Sequence, residues 1–327
     1  MAGPDLPVLD PARFTDALGA ARASGSLVTI DGGLGTLLER SGHDLASELW
    51  SARMLVESPA VIRDAHRQFY ASGARVGISS SYQVSYEGLS ALGFDSAATD
   101  RLLALSIRLV EEAREEYLGS VDAAAHGPAW TAASVGPYGA MLADGSEYSG
   151  RYGVDVADLR DWHRPRLAAL IDAGPDLLAI ETIPSLAETE AVLRELAGSP
   201  VAAWLALTVA QGTLRSGEAL SEAFAMADET PEIVAVGINC SDPLEVPAAI
   251  DAARAVTEKP IVIYPNSGEQ WDAKNRRWMG AAGFADSAVR EWIDRGATLV
   301  GGCCRVGPAE IAAIAAVGAG STGSTPG

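Results

Sequence analysis

The chain has 327 residues, 48% of them apolar and 20% charged, which suits one α/β barrel of about 250 residues with insertions. Its formal net charge of −19 repels phosphate backbones and anionic membranes, so neither nucleic acid nor a membrane is expected as a partner. The first residues carry no basic segment ahead of an apolar run, and no apolar stretch reaches the roughly 18 residues of a bilayer span, so a cytoplasmic protein is expected.

Short apolar runs alternate with longer amphipathic stretches. Residues 27–30 form the first run, and a helical pattern over 49–72, broken at Pro59, follows. Residues 75–80 form the second run, and 99–118 repeat apolar residues at helical spacing. The third run, 129–135, leads into a Gly- and Tyr-rich loop over 136–152. Runs four to six cover 177–180, 202–207 and 233–238, with helical patterns at 185–196 and 244–256. The seventh run, 260–264, precedes a loop over 268–282 that carries Trp271 and Trp278, and 298–300 form the eighth. Near-continuous apolar runs suit strands buried on both faces. Eight such alternations predict a single-domain (β/α)₈ TIM barrel over residues 1–316, with an open doubly wound sheet as the alternative. Residues 317–327 are small and polar and read as a disordered tail.

Barrel active sites lie where the strands end. The residues there include Asp31, Tyr82, Ser134, Glu181, Asn239, Cys240, Tyr264, Asn266, Cys303 and Cys304. All three cysteines of the chain are among them, and barrel closure puts runs six and eight one strand apart. Adjacent α-carbons lie about 3.8 Å apart, too close for a relaxed bridge between Cys303 and Cys304, and an odd cysteine count in a cytosolic chain is no disulfide framework. Reduced thiols are therefore expected. A lone cysteine reads as a small buried hydrophobe. Three at strand ends read as a catalytic zinc site with an open fourth position. Zinc ionises a coordinating thiol. A thiolate-rich site keeps an added sulfur nucleophilic and suits sulfur alkylation better than hydrolysis. The four histidines show no ligand spacing.

With these residues in place the chain resembles the homocysteine S-methyltransferase family. The motifs are GINC at 237–240 and GGCCR at 301–305, with DGGLGT at 31–36, ELWSA at 48–52 and SYQ at 81–83. SVGPYGAMLADGSEY at 134–148, WHRPRL at 162–167, ETIP at 181–184 and YPNSGEQWD at 264–272 extend the likeness over most of the chain. The long loop resembles the small single-domain branch. The resemblance implies zinc on Cys240, Cys303 and Cys304, and methyl transfer from S-methylmethionine or S-adenosylmethionine to homocysteine, giving methionine. It also implies that Glu181 and Asp31 hold the homocysteine ammonium. For Asp31 a turn carboxylate is the alternative. Asn239 could orient substrate or simply bond backbone, and Ser134, Tyr264 and Asn266 could bind substrate or close the barrel end. Trp50, Tyr82 and Tyr86 could face a sulfonium cation. Ser216 stands where relatives often carry Asp before Gly. A monomer or small homo-oligomer fits equally. Methylation of selenocysteine or another thiol, a corrinoid-protein donor, a zinc hydrolase, and a non-catalytic zinc- or thiol-binding barrel remain as alternatives.

Overall fold

The structure is a computed structural model that describes residues 11–43, 50–121, 127–272, 277–279 and 285–320. Eight parallel strands form one sheet: β1 (Val28–Thr29), β2 (Val76–Ile78), β3 (Trp130–Val135), β4 (Leu177–Ile183), β5 (Ala203–Leu207), β6 (Ile233–Asn239), β7 (Ile261–Tyr264) and β8 (Ala297–Val300). Their order is β1-β8-β7-β6-β5-β4-β3-β2. A parallel bridge between Ile30 and Val76 joins the two ends, and the Arg75 amide donates to Thr29 O at 2.7 Å. The sheet is therefore a closed barrel, and the open doubly wound alternative is set aside.

Alternation along the strands separates two cores. Trp130, Ala132, Leu177, Ala179, Trp204, Ala206, Ala235 and Val262 share a cluster inside the barrel. Their neighbours Leu178, Ile180, Leu205, Val236 and Ile263 belong to the cluster under the helices. Ser134, Glu181, Asn239 and Tyr264 continue the inward parity, so they point into the barrel at the ends of their strands.

Helices cover the outside. Pro59 splits the 49–72 pattern into Trp50–Glu57 and Pro59–Ala71, as proline at a first helical position does. Ser96–Ser120 is capped by Asp95, which accepts from Ala98 N at 2.7 Å. Leu186–Leu196 is capped by Ser185 and Val246–Arg254 follows β6. Helix Pro11–Ser24 was not read from the sequence. Its Phe14 and Leu18 belong to the barrel-interior cluster, and Phe14 meets Trp130 edge-on at 5.2 Å. Because Trp130 begins β3, this helix closes the end of the barrel opposite the site. At the other terminus, helix Pro308–Gly320 keeps Val317 buried. Ordered structure thus runs past the predicted boundary at 316 because Val317 completes that helix's apolar face. Residues 321–327 of the expected tail lie outside the described residues.

Candidate functional site

Loops after β1, β2, β3 and β8 and the ends of β4, β6 and β7 build the site. The β1 loop (Asp31-Gly32-Gly33) lies directly on the β8 loop: Gly33 N donates to Val306 O at 2.8 Å. A Cβ on Gly33 would stand 2.4 Å from the Cys303 carbonyl oxygen, so only glycine allows this approach. The DGGLG turn is therefore backbone packing against the cysteine loop, not a dinucleotide loop. Cys240 follows β6 with φ of 47°, and its amide donates to Tyr264 O at 3.3 Å. Cys303 N donates to Pro265 O at 2.8 Å, and Cys304 N donates to Asn266 Oδ1 at 3.2 Å. Strand β7 thus serves as the brace between the two cysteine-bearing loops. Asn266 belongs to that brace and does not line the cavity.

The three sulfur atoms lie within 4.8 Å of one another. Tetrahedral zinc with Zn–S bonds of about 2.3 Å would set them roughly 3.8 Å apart, so the donor set fits such an ion with small adjustments. The sulfur atoms of Cys240 and Cys303 are in contact, with α-carbons 5.6 Å apart, and Cys304 stands beside them. Reduced thiols were expected on the ground that Cys303 and Cys304 cannot bridge each other. That reasoning compared only the adjacent cysteines, whereas Cys240 and Cys303 are brought together across one strand at an ordinary bridging distance. Cys304 is open to the cavity, yet protein crowds it. Burial, helped by the charges of Glu39, Glu181 and Glu147, pushes its thiol up to about 11.

Beside the cysteines is a cavity of about 290 Å³ lined by Asp31, Glu181, Glu147, Tyr82, Tyr148 and all three cysteines, among others. No Lys or Arg among the described residues lines it. Asp31 is 2% exposed and Glu181 7%. Asp31 Oδ2 accepts from Ile78 N at 2.8 Å, and the Ser134 hydroxyl donates to Glu181 Oε1. Burial pushes the Asp31 carboxyl well above its usual range, with the Glu181 charge adding to it. Burial also lifts Glu181 to about 7, against hydrogen bonds from Ser134 and Tyr264 and the Arg166 charge, all of which pull it back. Two buried carboxylates in a cavity lined by no described Lys or Arg make a receptor for a cation.

Asn239 and Tyr264 support this pair. Asn239 Oδ1 accepts from Thr182 N at 2.7 Å and its Nδ2 donates to Thr182 Oγ1 at 2.8 Å. Thr182 has φ of 60°, so Asn239 holds the residue after Glu181 in a left-handed conformation that few side chains adopt. Tyr264 accepts from Trp204 Nε1 at 3.0 Å. Ser134 stands behind Glu181 and does not line the cavity. Tyr82 lines it, whereas Tyr86 does not: its phenol donates to Asp100 and to Pro165 O, between helices. Tyr86 is thereby removed from the aromatic faces proposed for a donor. The Trp50 side chain lies outside what the structure describes. Glu147 and Tyr148 were not singled out in the sequence, although the loop carrying them was. Arg166 was missed too: it is fully buried and donates to the carbonyls of Gly136, Ser81 and Tyr82, tying the loops after β2 and β3 together.

Fold and site together define a (β/α)₈ barrel able to hold a soft metal through three cysteines beside a cation-accepting pocket. The profile of the homocysteine S-methyltransferase family matches residues 28–317. Homocysteine S-methyltransferase YbgG of Bacillus subtilis (strain 168) is 43% identical over 296 residues, covering 89% of this chain and 94% of that protein. The metallated form of the homocysteine methyltransferase MmuM from Escherichia coli superposes with a TM-score of 0.82 at 39% identity, covering 92% of this chain and 99% of that one. The oxidized form of MmuM gives 0.80 at 40% identity, covering 89% and 95%. The chain belongs to the homocysteine S-methyltransferase family and is an enzyme of the methyltransferase class. No described helix is long and apolar enough to cross a membrane.

Proposed function

We propose that the protein transfers a methyl group from a sulfonium donor, S-methylmethionine or S-adenosylmethionine, to the thiol of homocysteine, giving methionine. The observation that carries this reading is the pair of buried carboxylates, Asp31 and Glu181, in one cavity with three convergent cysteines and no basic side chain. A carboxylate pair with no basic side chain in its cavity suits an α-ammonium group, and thiol ligands suit a substrate whose reacting atom is sulfur.

Cys240, Cys303 and Cys304 would hold zinc, which when bound supplies ionisation of the acceptor thiol near neutral pH. Asp31 and Glu181 bind the acceptor ammonium, and so fix the direction in which its side chain enters. Ser134 and Tyr264 hold Glu181 in place, and Asn239 locks the turn behind it. Tyr82 offers an aromatic face to the positive donor. The acceptor sulfur attacks the donor methyl carbon. As the new C–S bond forms, the old one breaks and its electron pair returns to the donor sulfur, which leaves as a neutral thioether. Holding both sulfur atoms in line around one methyl carbon converts a bimolecular collision into an oriented displacement.

The test is methionine formation from homocysteine with each sulfonium donor, using reduced, zinc-loaded protein. Turnover is expected with at least one donor and is expected to vanish in Cys303→Ser. Stoichiometric zinc with no methionine from either donor would refute the reading.

A further inference from the structure

The cavity contains a third carboxylate, and the mechanism leaves it without a task. Glu147 reaches the cavity from the loop after β3, alongside Tyr148. Its Oε2 is shut off from solvent and has no hydrogen-bond partner. A shielded acceptor of this kind is costly unless something donates to it. The nearby cation Arg215 does not: its guanidinium lies 5.3 Å over the Tyr148 ring, and its Nε donates to Thr208 Oγ1 at 3.2 Å.

The loop that carries Glu147 is firmly seated. A Cβ on Gly139 would lie 2.4 Å from Glu147 N, so the two backbone segments are in direct contact. The preceding residue, Tyr138, donates its amide to Glu188 Oε1 at 2.5 Å, and the same oxygen meets His163 Nε2 at 3.0 Å. Both of those side chains are fully buried. On the far side, a Cβ on Gly150 would touch the Pro184 carbonyl oxygen at 3.0 Å, three residues beyond Glu181. Glu147 is therefore held by a buried pair on one side and by the β4 loop on the other.

We infer that Glu147 accepts hydrogen bonds from the α-ammonium of the methyl donor and so selects donors that are amino acids. The inference rests on the sulfonium-dependent methyl transfer proposed above. Asp31 and Glu181, at the strand ends, serve the acceptor. Glu147 comes from the loop after β3 rather than from a strand end, and is close enough to Cys304 for its charge to act on that thiol. A sulfonium centre has no N–H to offer an unpartnered oxygen, whereas an ammonium has three. Glu147 thus recognises the donor's amino group, and the reacting sulfur is left free to face the acceptor.

The experiment compares kcat/KM for S-methylmethionine with that for its analogue carrying hydrogen in place of the α-amino group, and S-adenosylmethionine with its own des-amino analogue in parallel. The unaltered protein is expected to prefer the amino donor by roughly 30-fold, and Glu147→Gln to reduce that preference by roughly tenfold, as loss of one charge-assisted hydrogen bond implies. KM for homocysteine should stay within about twofold, because the acceptor ammonium is held by Asp31 and Glu181. Glu147→Asp, which keeps the charge on a shorter arm, should lose less of the preference and covers the case in which the Gln variant does not fold. An unchanged preference in Glu147→Gln, or a homocysteine KM that rises as much as the donor KM, overturns the inference while methyl transfer stands. Absence of turnover in the unaltered protein overturns the underlying reading and this inference with it.

Discussion

Glu181→Gln should make the substrate-free protein more stable while crippling it as an enzyme. Burial carries the Glu181 carboxyl from its ordinary 4.5 to about 7. At about 1.4 kcal/mol per tenfold, holding it ionised in the fold costs roughly 3 kcal/mol. The sign follows from proton uptake. Between 4.5 and 7 the folded state binds the proton and the unfolded state does not, so stability falls as pH rises through that window. Below 4.5 the carboxyl is neutral in both states and imposes no cost. Glutamine keeps the shape and still accepts from Ser134, but it carries no charge. The variant should therefore gain up to about 3 kcal/mol at pH 8, and the gain should shrink toward zero as the pH approaches 4.5. Urea unfolding of both proteins at pH 8 and pH 5, without homocysteine, measures it. The same variant should lose roughly 10- to 100-fold in kcat/KM for homocysteine, as expected for a missing charge-assisted bond to ammonium. A variant that is less stable at both pH values, or a difference that does not change with pH, would show that the fold favours the charged carboxylate and would refute the reasoning.

Two further outcomes follow from the same geometry. Asn239→Ala removes both bonds that hold Thr182 in its left-handed conformation; it should cost about 2 kcal/mol in stability and lower kcat more than it raises the homocysteine KM, read from steady-state kinetics and thermal unfolding. Because sulfur in a disulfide cannot ligate as thiolate, protein oxidised at Cys240–Cys303 should take up no zinc, and reduction should restore one ion per chain, measured by metal analysis before and after a phosphine reductant; stoichiometric zinc in the oxidised protein would refute the assignment of those ligands.

The barrel was legible because its eight strands are buried on both faces and therefore stand out as apolar runs. The strand-end residues were legible for a related reason: Glu181 and Asn239 interrupt apolar runs where a polar side chain needs a partner. What a one-dimensional reading could not separate was facing from proximity. Asn266 and Tyr264 end the same strand region, yet Tyr264 turns inward to Glu181 while Asn266 turns back to the Cys304 amide. Tyr82 and Tyr86 are neighbours in sequence, yet Tyr82 lies in the turn before the helix that Tyr86 begins, and only Tyr82 reaches the cavity. The Cys240–Cys303 pairing depends on a contact between residues 63 positions apart, which no local spacing rule reaches. Helix Pro11–Ser24 was within reach, since Phe14, Leu18 and Ala21 repeat at helical spacing, but it lies ahead of the first strand, where no alternation called for a helix. The role of Glu147 depends on where a loop is anchored, and its anchors, His163 and Glu188, lie in segments whose pattern is that of ordinary helices.

The brace formed by β7 also sets a timetable. Cys240 and Cys303 are 63 residues apart, so at about 5–20 residues per second a ribosome makes the first of them roughly 3 to 13 seconds before the second. Throughout that interval the nascent chain presents a single thiol with neither companion yet made. The three-sulfur cluster can be assembled only after β8, the strand that closes the barrel, has been synthesised, so any metal it takes up would have to wait for barrel closure.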